Sequence, residues 1–398
     1  MSTKTLTFTQ EVNASPALVY RAFTNTQAIQ EWLADAVQAD ARNKGRFYAW
    51  WHQDYYTAGQ YGPLEENKKV TFSWQGPGEP VTHVRVLLEE NGTGTKVTLY
   101  HDDVPEGGEE GFNQEWPSAL ANLKSVLETG VDKRLYDRPM LGFFIGGLVD
   151  ENLKKRLGIP VDTGMHVAGL LDGMGAQRSG LKADDVIFSV EGVKITSFDS
   201  IRGVTGKHKG GDVIETVVYR GAEKLTIPVE LSQRPVPAFP ATPADLAREG
   251  YQVYGEALTK LDEILEGLTE EEACHKASPD DWSVKEVLAH LLINERWSQC
   301  SWAVIQTGHE FPDFPGQPLV SALAQTYSLQ DLRTELRNSV KVHLNQIAAL
   351  PASFTEKKGL YFLAANDFAQ GVRNHFTEHT TQIKTAIENA RKAEAVPA

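Results

Sequence analysis

The chain has 398 residues, which at roughly 100–200 residues per domain calls for two to four domains. Its 41% hydrophobic and 23% charged residues are ordinary globular usage and exclude wholesale disorder, a collagen-like repeat or a coiled-coil rod. A net charge of −14 repels phosphate backbones and anionic lipid, so neither nucleic acid nor a membrane is an expected partner.

The chain opens on a strand-like alternation (Leu6, Phe8, Gln10, Val12) rather than a basic segment and an apolar core, so no signal peptide is read. Ser15-Pro16 then reads as a helix start, with the helix running toward Trp32. Strands follow, separated by turns at Asn43-Lys44-Gly45, Gln75-Gly76-Pro77-Gly78 and Glu90-Asn91-Gly92. That last turn is also the ordinary reading of the sequon Asn91-Gly92-Thr93. Phe112, Trp116, Leu120, Leu123 and Leu127 recur at helical spacing, and Pro117 kinks that helix unless it falls in the first turn.

This first segment resembles the START-like (SRPBCC) superfamily, in the branch of homologues of the activator of heat-shock-protein ATPase. Ala14-Ser15-Pro16-Ala17-Leu18-Val19-Tyr20-Arg21-Ala22-Phe23, Glu31-Trp32-Leu33 and the stretch from Trp116 to Gly130 carry the resemblance. It implies an α+β helix-grip domain, a sheet around a long helix, with a cavity for an apolar small molecule or a chaperone client. The aromatic residues read either as packed core or as a pocket whose polar lining includes His52, His83 and His101.

No tryptophan occurs between 135 and 239, and that stretch has 13 basic and 13 acidic residues, so the acidic excess lies outside it. The longest apolar run, Met140 to Val149, spans ten residues and is too short to cross a bilayer. Leu141-Gly142-Phe143-Phe144-Ile145, Gly175 to Ile187, Val190 to Ile195 and Gly210-Gly211-Asp212 occur in order, with strands at Met165–Leu171, Val213–Tyr219 and Leu225–Val229. The whole resembles a PDZ domain of the HtrA-like type, a mainly-β fold. The resemblance implies that backbone amides of Leu141, Gly142 and Phe143 take a C-terminal carboxylate while Phe144 and Ile145 begin the strand that pairs with a peptide. Peptide or protein C-termini are therefore expected partners; the alternative is a domain that merely spaces its neighbours. A Gly-Asn-Ser-Gly-Gly nucleophile motif is missing, which excludes serine proteolysis by that route.

Pro235, Pro237, Pro240 and Pro243 make an extended linker. Beyond it, Leu246, Tyr254, Leu258, Leu261, Leu265 and Leu268 mark a first helix. A second starts at Ser283 with a capping box to Glu286; a third is capped by Ser328; a fourth carries Val372, Phe376, Ile383 and Ile387. An all-α four-helix bundle is predicted. The multidomain division is 1–134, 135–234, a linker 235–242, and 243–392, with the tail from Ala393 disordered.

His375 and His379 stand one turn apart on the apolar stripe of the fourth helix, and His290 flanks that of the second. Three inward imidazoles suit a divalent ion, although His-x-x-x-His alone is weak evidence. Asp281 to Leu291 and His375 to Ile383 resemble the DinB-like (YfiT-related) family at its metal-ligand motifs, which implies that His290, His375 and His379 bind zinc, nickel or iron. Glu295 and Glu378 are possible bases, outside the catalytic assignment; His275, His309 and His343 read as surface residues. Cys274 and Cys300 are too few for a disulfide framework or a thiolate zinc site, and a cytoplasmic location is expected. Two functions remain: a binding protein combining cavity, peptide groove and metal site, or a metal-dependent thiol transferase or hydrolase whose other domains recruit substrate.

Overall fold

A computed structural model of the protein describes residues 2–52, 55–279, 281–307 and 316–394. The chain forms two compact units, Met1–Val131 with Pro237–Ala398, and Asp132–Val236. His309 and residues 395–398 lie outside the described residues, whereas Ala393 and Glu394, read as the start of a disordered tail, continue the last helix.

The first part of the larger unit is α+β. Its strands are β1 (Thr3–Val12), β2 (Ala36–Ala39), β3 (Arg46–Trp51), β4 (Tyr55–Gln60), β5 (Lys69–Trp74), β6 (Thr82–Asn91) and β7 (Gly94–Pro105); its helices are α1 (Pro16–Thr24), α2 (Thr26–Gln30) and α3 (Glu109–Thr129). Antiparallel sheets β1-β7-β6-β5 and β2-β3-β4 are joined by bridges Ala58–Gln75 and Tyr61–Phe72. Trp116, Leu120, Leu123 and Val126 of α3 are buried in the core. Pro117 sits inside α3, past the first turn, but is exposed, so water can reach the carbonyl its missing N–H leaves unpaired. Asn91 pairs with Gly94, which makes the sequon a hairpin.

The smaller unit contains α4 (Lys133–Tyr136), β8 (Phe143–Leu148), α5 (Glu151–Leu157), β9 (Met165–Leu170), α6 (Gly175–Arg178), β10 (Val186–Val190), β11 (Val193–Lys194), α7 (Phe198–Thr205), β12 (Val213–Arg220) and β13 (Glu223–Glu230). The sheet order β13-β12-β10-β9-β8 leaves β8 at an edge.

Helices α8 (Pro243–Ile264), α9 (Glu270–Cys274), α10 (Val284–Thr307), α11 (Gln317–Thr326), α12 (Leu329–Ala348), α13 (Lys358–Asn366) and α14 (Val372–Glu394) complete the larger unit. α8, α12, α10 and α14 touch in a closed ring, the four-helix bundle, around Leu246, Leu258, Leu288, Leu336 and Ile383. Ser283 and Glu286 make both bonds of the predicted capping box, which sets where α10 begins. α13 runs through a π-helical turn, Asp367–Gly371, into α14. No helix among the described residues is long and apolar enough to cross a membrane, and Cys274 and Cys300 are free and exposed.

α13 packs on α3. Two glycines permit the approach: a Cβ at Gly130, which ends α3 at φ 76°, would meet the Lys358 carbonyl and Phe362, and one at Gly359 would meet the Glu31 carboxylate. Burial pushes Glu31 up to about 7 against the opposing pull of Arg21 and Lys357. A carboxylic acid raised from 4.5 stabilises the fold fully below the unfolded value, and that contribution is lost as pH rises through about 7. Glu31→Gln should therefore match the parent chain near pH 4 and exceed its stability by up to about 3 kcal/mol near pH 8. Thermal unfolding across pH checks this; equal midpoints near pH 8 would contradict it.

Candidate metal centre and peptide groove

The i, i+4 spacing of His375 and His379 puts both on one face of α14, and α10 brings His290 opposite. One ligand atom from each of the three lies within 4.8 Å of the others. Nε2 of His290 and Nε2 of His375 are 3.1 Å apart. Two neutral imidazole lone pairs at that distance repel unless a proton or a cation lies between them, and nitrogens around a tetrahedral zinc at ~2.0–2.1 Å are about 3.3 Å apart. Nδ1 of His379 is 2.8 Å from Gln382 Oε1, a bond that orients the ring and leaves Nε2 as the nitrogen for a metal. Burial first, then the His379 charge, pushes His290 down to about 4; burial, then His379 and His290, pushes His375 down to about 3. Both rings are therefore neutral near pH 7, the state a metal requires.

Three neighbours escaped the sequence reading as site residues. Asn294 Nδ2 lies 3.0 Å from His290 Nε2 and 3.5 Å from His375 Nε2. Gln382 holds His379, and Trp282 stacks parallel to it, ring centroids 6.4 Å apart. Asn294 and Gln382 stand four and three residues after a ligand histidine, a spacing that was available to find them.

His343, expected at the surface, is instead fully buried. Its position three residues after Val340 places it on the apolar face of α12. Nδ1 of His343 is 3.2 Å from Glu295 Oε2, and the Tyr254 hydroxyl donates to Glu295 Oε1 at 2.6 Å. Glu295 is thus committed to a core network, and Glu378 is exposed beside the site. In the first domain the three histidines separate: His52 and His83 are exposed, whereas His101 is buried. Trp116 Nε1 donates to His101 Nδ1 at 2.9 Å, so the 2.7 Å contact of Nε2 with the Thr82 hydroxyl is a donation by the ring, and Thr82 donates in turn to the Trp74 carbonyl. Around this chain Phe47 stacks on Phe72 at 4.3 Å and Trp74 meets Trp116 at 5.4 Å, so these rings fill the core.

In the smaller unit the carbonyls of Leu141 and Gly142 accept bonds from Ala176 and Leu171, while the amides of Leu141 and Gly142 have no acceptor among the described residues. Gly142 has φ 87°, and a Cβ there would run into Met174, so only glycine suits the loop. Phe143 and Phe144 are half-buried, Ile145 is exposed, and Phe198 on α7 is 51% exposed.

Three family models match in the order expected: "Activator of Hsp90 ATPase homolog 1-like protein" over residues 13–128, "PDZ domain" over 150–231, and "Mycothiol maleylpyruvate isomerase N-terminal domain" over 254–382. Among curated proteins the chain is similar to the periplasmic serine endoprotease DegP of Salmonella typhimurium, 29% identical over 32% of this chain and 26% of that one. It is also similar to the serine protease Do-like HtrA of Bacillus subtilis, 26% identical over 36% of this chain and 33% of that one. The chain thus spans about a quarter to a third of the length of these relatives. Among solved structures, the Aha1 dimer from Colwellia psychrerythraea is 20% identical at a TM-score of 0.30, covering 31% of this chain and 96% of that one. Protein MLL2253 from Mesorhizobium loti is 20% identical at 0.29, over 31% and 97%.

Removing the Tyr254 hydroxyl leaves a buried Glu295 oxygen without its donor, so Tyr254→Phe is expected to cost about 1–3 kcal/mol. Urea unfolding of the two proteins measures it, and an unchanged midpoint would show that Glu295 finds another donor.

Proposed function

We propose that the protein is a cytosolic multidomain binding protein. The bundle holds a divalent metal ion through His290, His375 and His379; the middle domain takes peptide C-termini at Leu141, Gly142, Phe143, Phe144 and Ile145; the first domain takes an apolar ligand or a client. The convergence of three histidines within 4.8 Å carries the metal reading. An all-imidazole set suits zinc, nickel or iron. A divalent ion there supplies Lewis acidity and lowers the pKa of a bound water or thiol. The chain's own residues do the rest: Gln382 orients His379, Trp282 covers one side of the cluster, and the Asn294 amide faces His290 and His375. The peptide reading is supported by the unused amides of Leu141 and Gly142 next to the β8 edge.

A second reading, a metal-dependent transferase or hydrolase acting with a low-molecular-weight thiol, is favoured by the match to the mycothiol maleylpyruvate isomerase model. His290 and His375 are partly exposed, which leaves room for a substrate at the ion. Glu295 does not serve as its base, being held by Tyr254 and His343.

Purified chain should carry about one metal ion, and the His290→Ala/His379→Ala variant essentially none; equal metal content in the two would overturn the triad. With metal present, a screen of thiols against electrophiles separates the readings, since metal-dependent turnover selects the enzyme.

Peptides with a free C-terminus should bind with dissociation constants of roughly micromolar order and weaken about tenfold on amidation. Unchanged affinity after amidation would eliminate carboxylate capture.

A further inference from the structure

The mouth of the peptide groove carries positive charge that the unit itself does not neutralise. Met140, which leads into the Leu141-Gly142 loop, pairs antiparallel with Ser232 through two bonds of 2.8 Å. Gln233 Nε2 donates to the Tyr136 carbonyl, so the segment that holds Arg138 runs beside the one that holds Arg234. The same terminal segment is tied to the chain beyond α7: Gly211 N–H donates to the Leu231 carbonyl at 2.7 Å, and Gly210 lies against Gln233. One short stretch, 231–234, therefore touches both the entrance of the carboxylate loop and the segment that follows α7, the helix that bears Arg202.

Two of these three guanidiniums have no carboxylate among the described residues, and the third has only a long, exposed pair. Neither Arg138 nor Arg234 makes an ion pair among the described residues, and the Arg234 Nε is buried without a hydrogen-bond partner. Arg202 reaches only its own helix neighbour Asp199, at 3.7 Å with both side chains largely exposed, a geometry worth little. The other acids near these segments are occupied: Asp132 by Arg134, Asp137 by Lys133, Asp212 by His208. Lys207 and Lys209 add further positive charge just after α7. Burial, and beyond it the charges of Arg138 and Arg202, pull Arg234 below its ordinary pKa, with Tyr136 acting the other way. A guanidinium stays charged through such a shift, so repulsion persists until an anion arrives.

A terminal carboxylate supplies one negative charge, and the loop amides already face it. Two guanidiniums without an ion pair among the described residues and a weakly paired third call for more. We propose that Arg138, Arg202 and Arg234 form a cationic rim at the carboxylate end of the groove that selects peptide tails bearing an acidic side chain within their last three residues. The proposal rests on the peptide-groove reading and specifies its ligand. The outer parts of the chain carry the whole acidic excess, so the selectivity belongs to this unit and works against the long-range field of the molecule.

The test uses the full chain and fluorescence anisotropy with ten-residue probes that differ only at the tail: one ending in three small apolar residues, and others with aspartate at the last, second-last or third-last place, each with a free and an amidated end. At least one acidic tail should bind about tenfold more tightly than the neutral one, a gap that shrinks between about 0.05 and 0.5 M salt. Arg202→Gln and the pair Arg138→Gln/Arg234→Gln should each bring the acidic-to-neutral ratio toward one, with circular dichroism confirming that the variants fold. Should the neutral tail bind as well as every acidic one, or the preference survive both variants, the rim is overturned and the groove stands. If amidation costs nothing yet the acidic preference persists and disappears in the variants, the rim stands and carboxylate capture falls. Binding by no probe removes both.

Discussion

An imidazole brought into the seam of a helix bundle loses its water and must recover hydrogen bonds or a cation, and the bundle is arranged around that demand. Three such rings meet between α10 and α14. Each is held by its surroundings: His379 by Gln382, His290 and His375 by each other and by Asn294. Deeper in, His343 meets half of the same demand through Nδ1 and Glu295, which Tyr254 also contacts, while its Nε2 is buried without a partner among the described residues. The two clusters draw on the same helix, α10, with Glu295 one residue beyond Asn294. Their chemistry nevertheless differs. The deeper cluster contains a carboxylate and a phenol beside its histidine, whereas the three ligand residues of the triad are all imidazoles and include no carboxylate.

Backbone proximity is the second organising constraint. At Gly130 and Gly359 the absence of a Cβ lets α13 settle on α3 and against Glu31, so the helix-grip domain and the bundle form one compact unit although a hundred-residue unit separates them in sequence. At Gly142 the same absence, with a positive φ, shapes a loop whose amides stay unused. Close approach thus serves cohesion in one place and leaves backbone donors open in the other. In both places the polar groups brought together are incompletely paired, Glu31 Oε1 in the first and Arg234 Nε in the second.

Much of this was legible in the chain itself because the signals were local. Ser283 and Glu286 stand three apart, as a capping box requires, and α10 begins there. His375 and His379 stand four apart, so any helix through them aligns the two rings. The Leu141-Gly142-Phe143 loop and its following strand appear in order. What was misread depended on the far side of a contact. His343 looked like a surface residue because its partner Glu295 lies 48 residues earlier, and a polar residue on an apolar stripe is ambiguous until its partner is seen. Whether His52, His83 and His101 share a lining or sit apart was left open, because strand alternation alone does not say which face of the sheet each takes. His101 faces inward beneath Trp116, while His83 faces out toward Asp103.

The sequence by itself determined the kinds of domain, the order in which they occur, the helix that aligns His375 with His379 and the loop that leaves amides unused, since each is set by residues within a few positions of one another. Only the tertiary structure decided that His290 closes the triad, that the first and last domains pack through two glycines, and that the segment around Met140 pairs with Ser232. Those outcomes depend on which faces meet across long stretches of chain, and the packing of the assembled core selects them where local periodicity leaves several registers open.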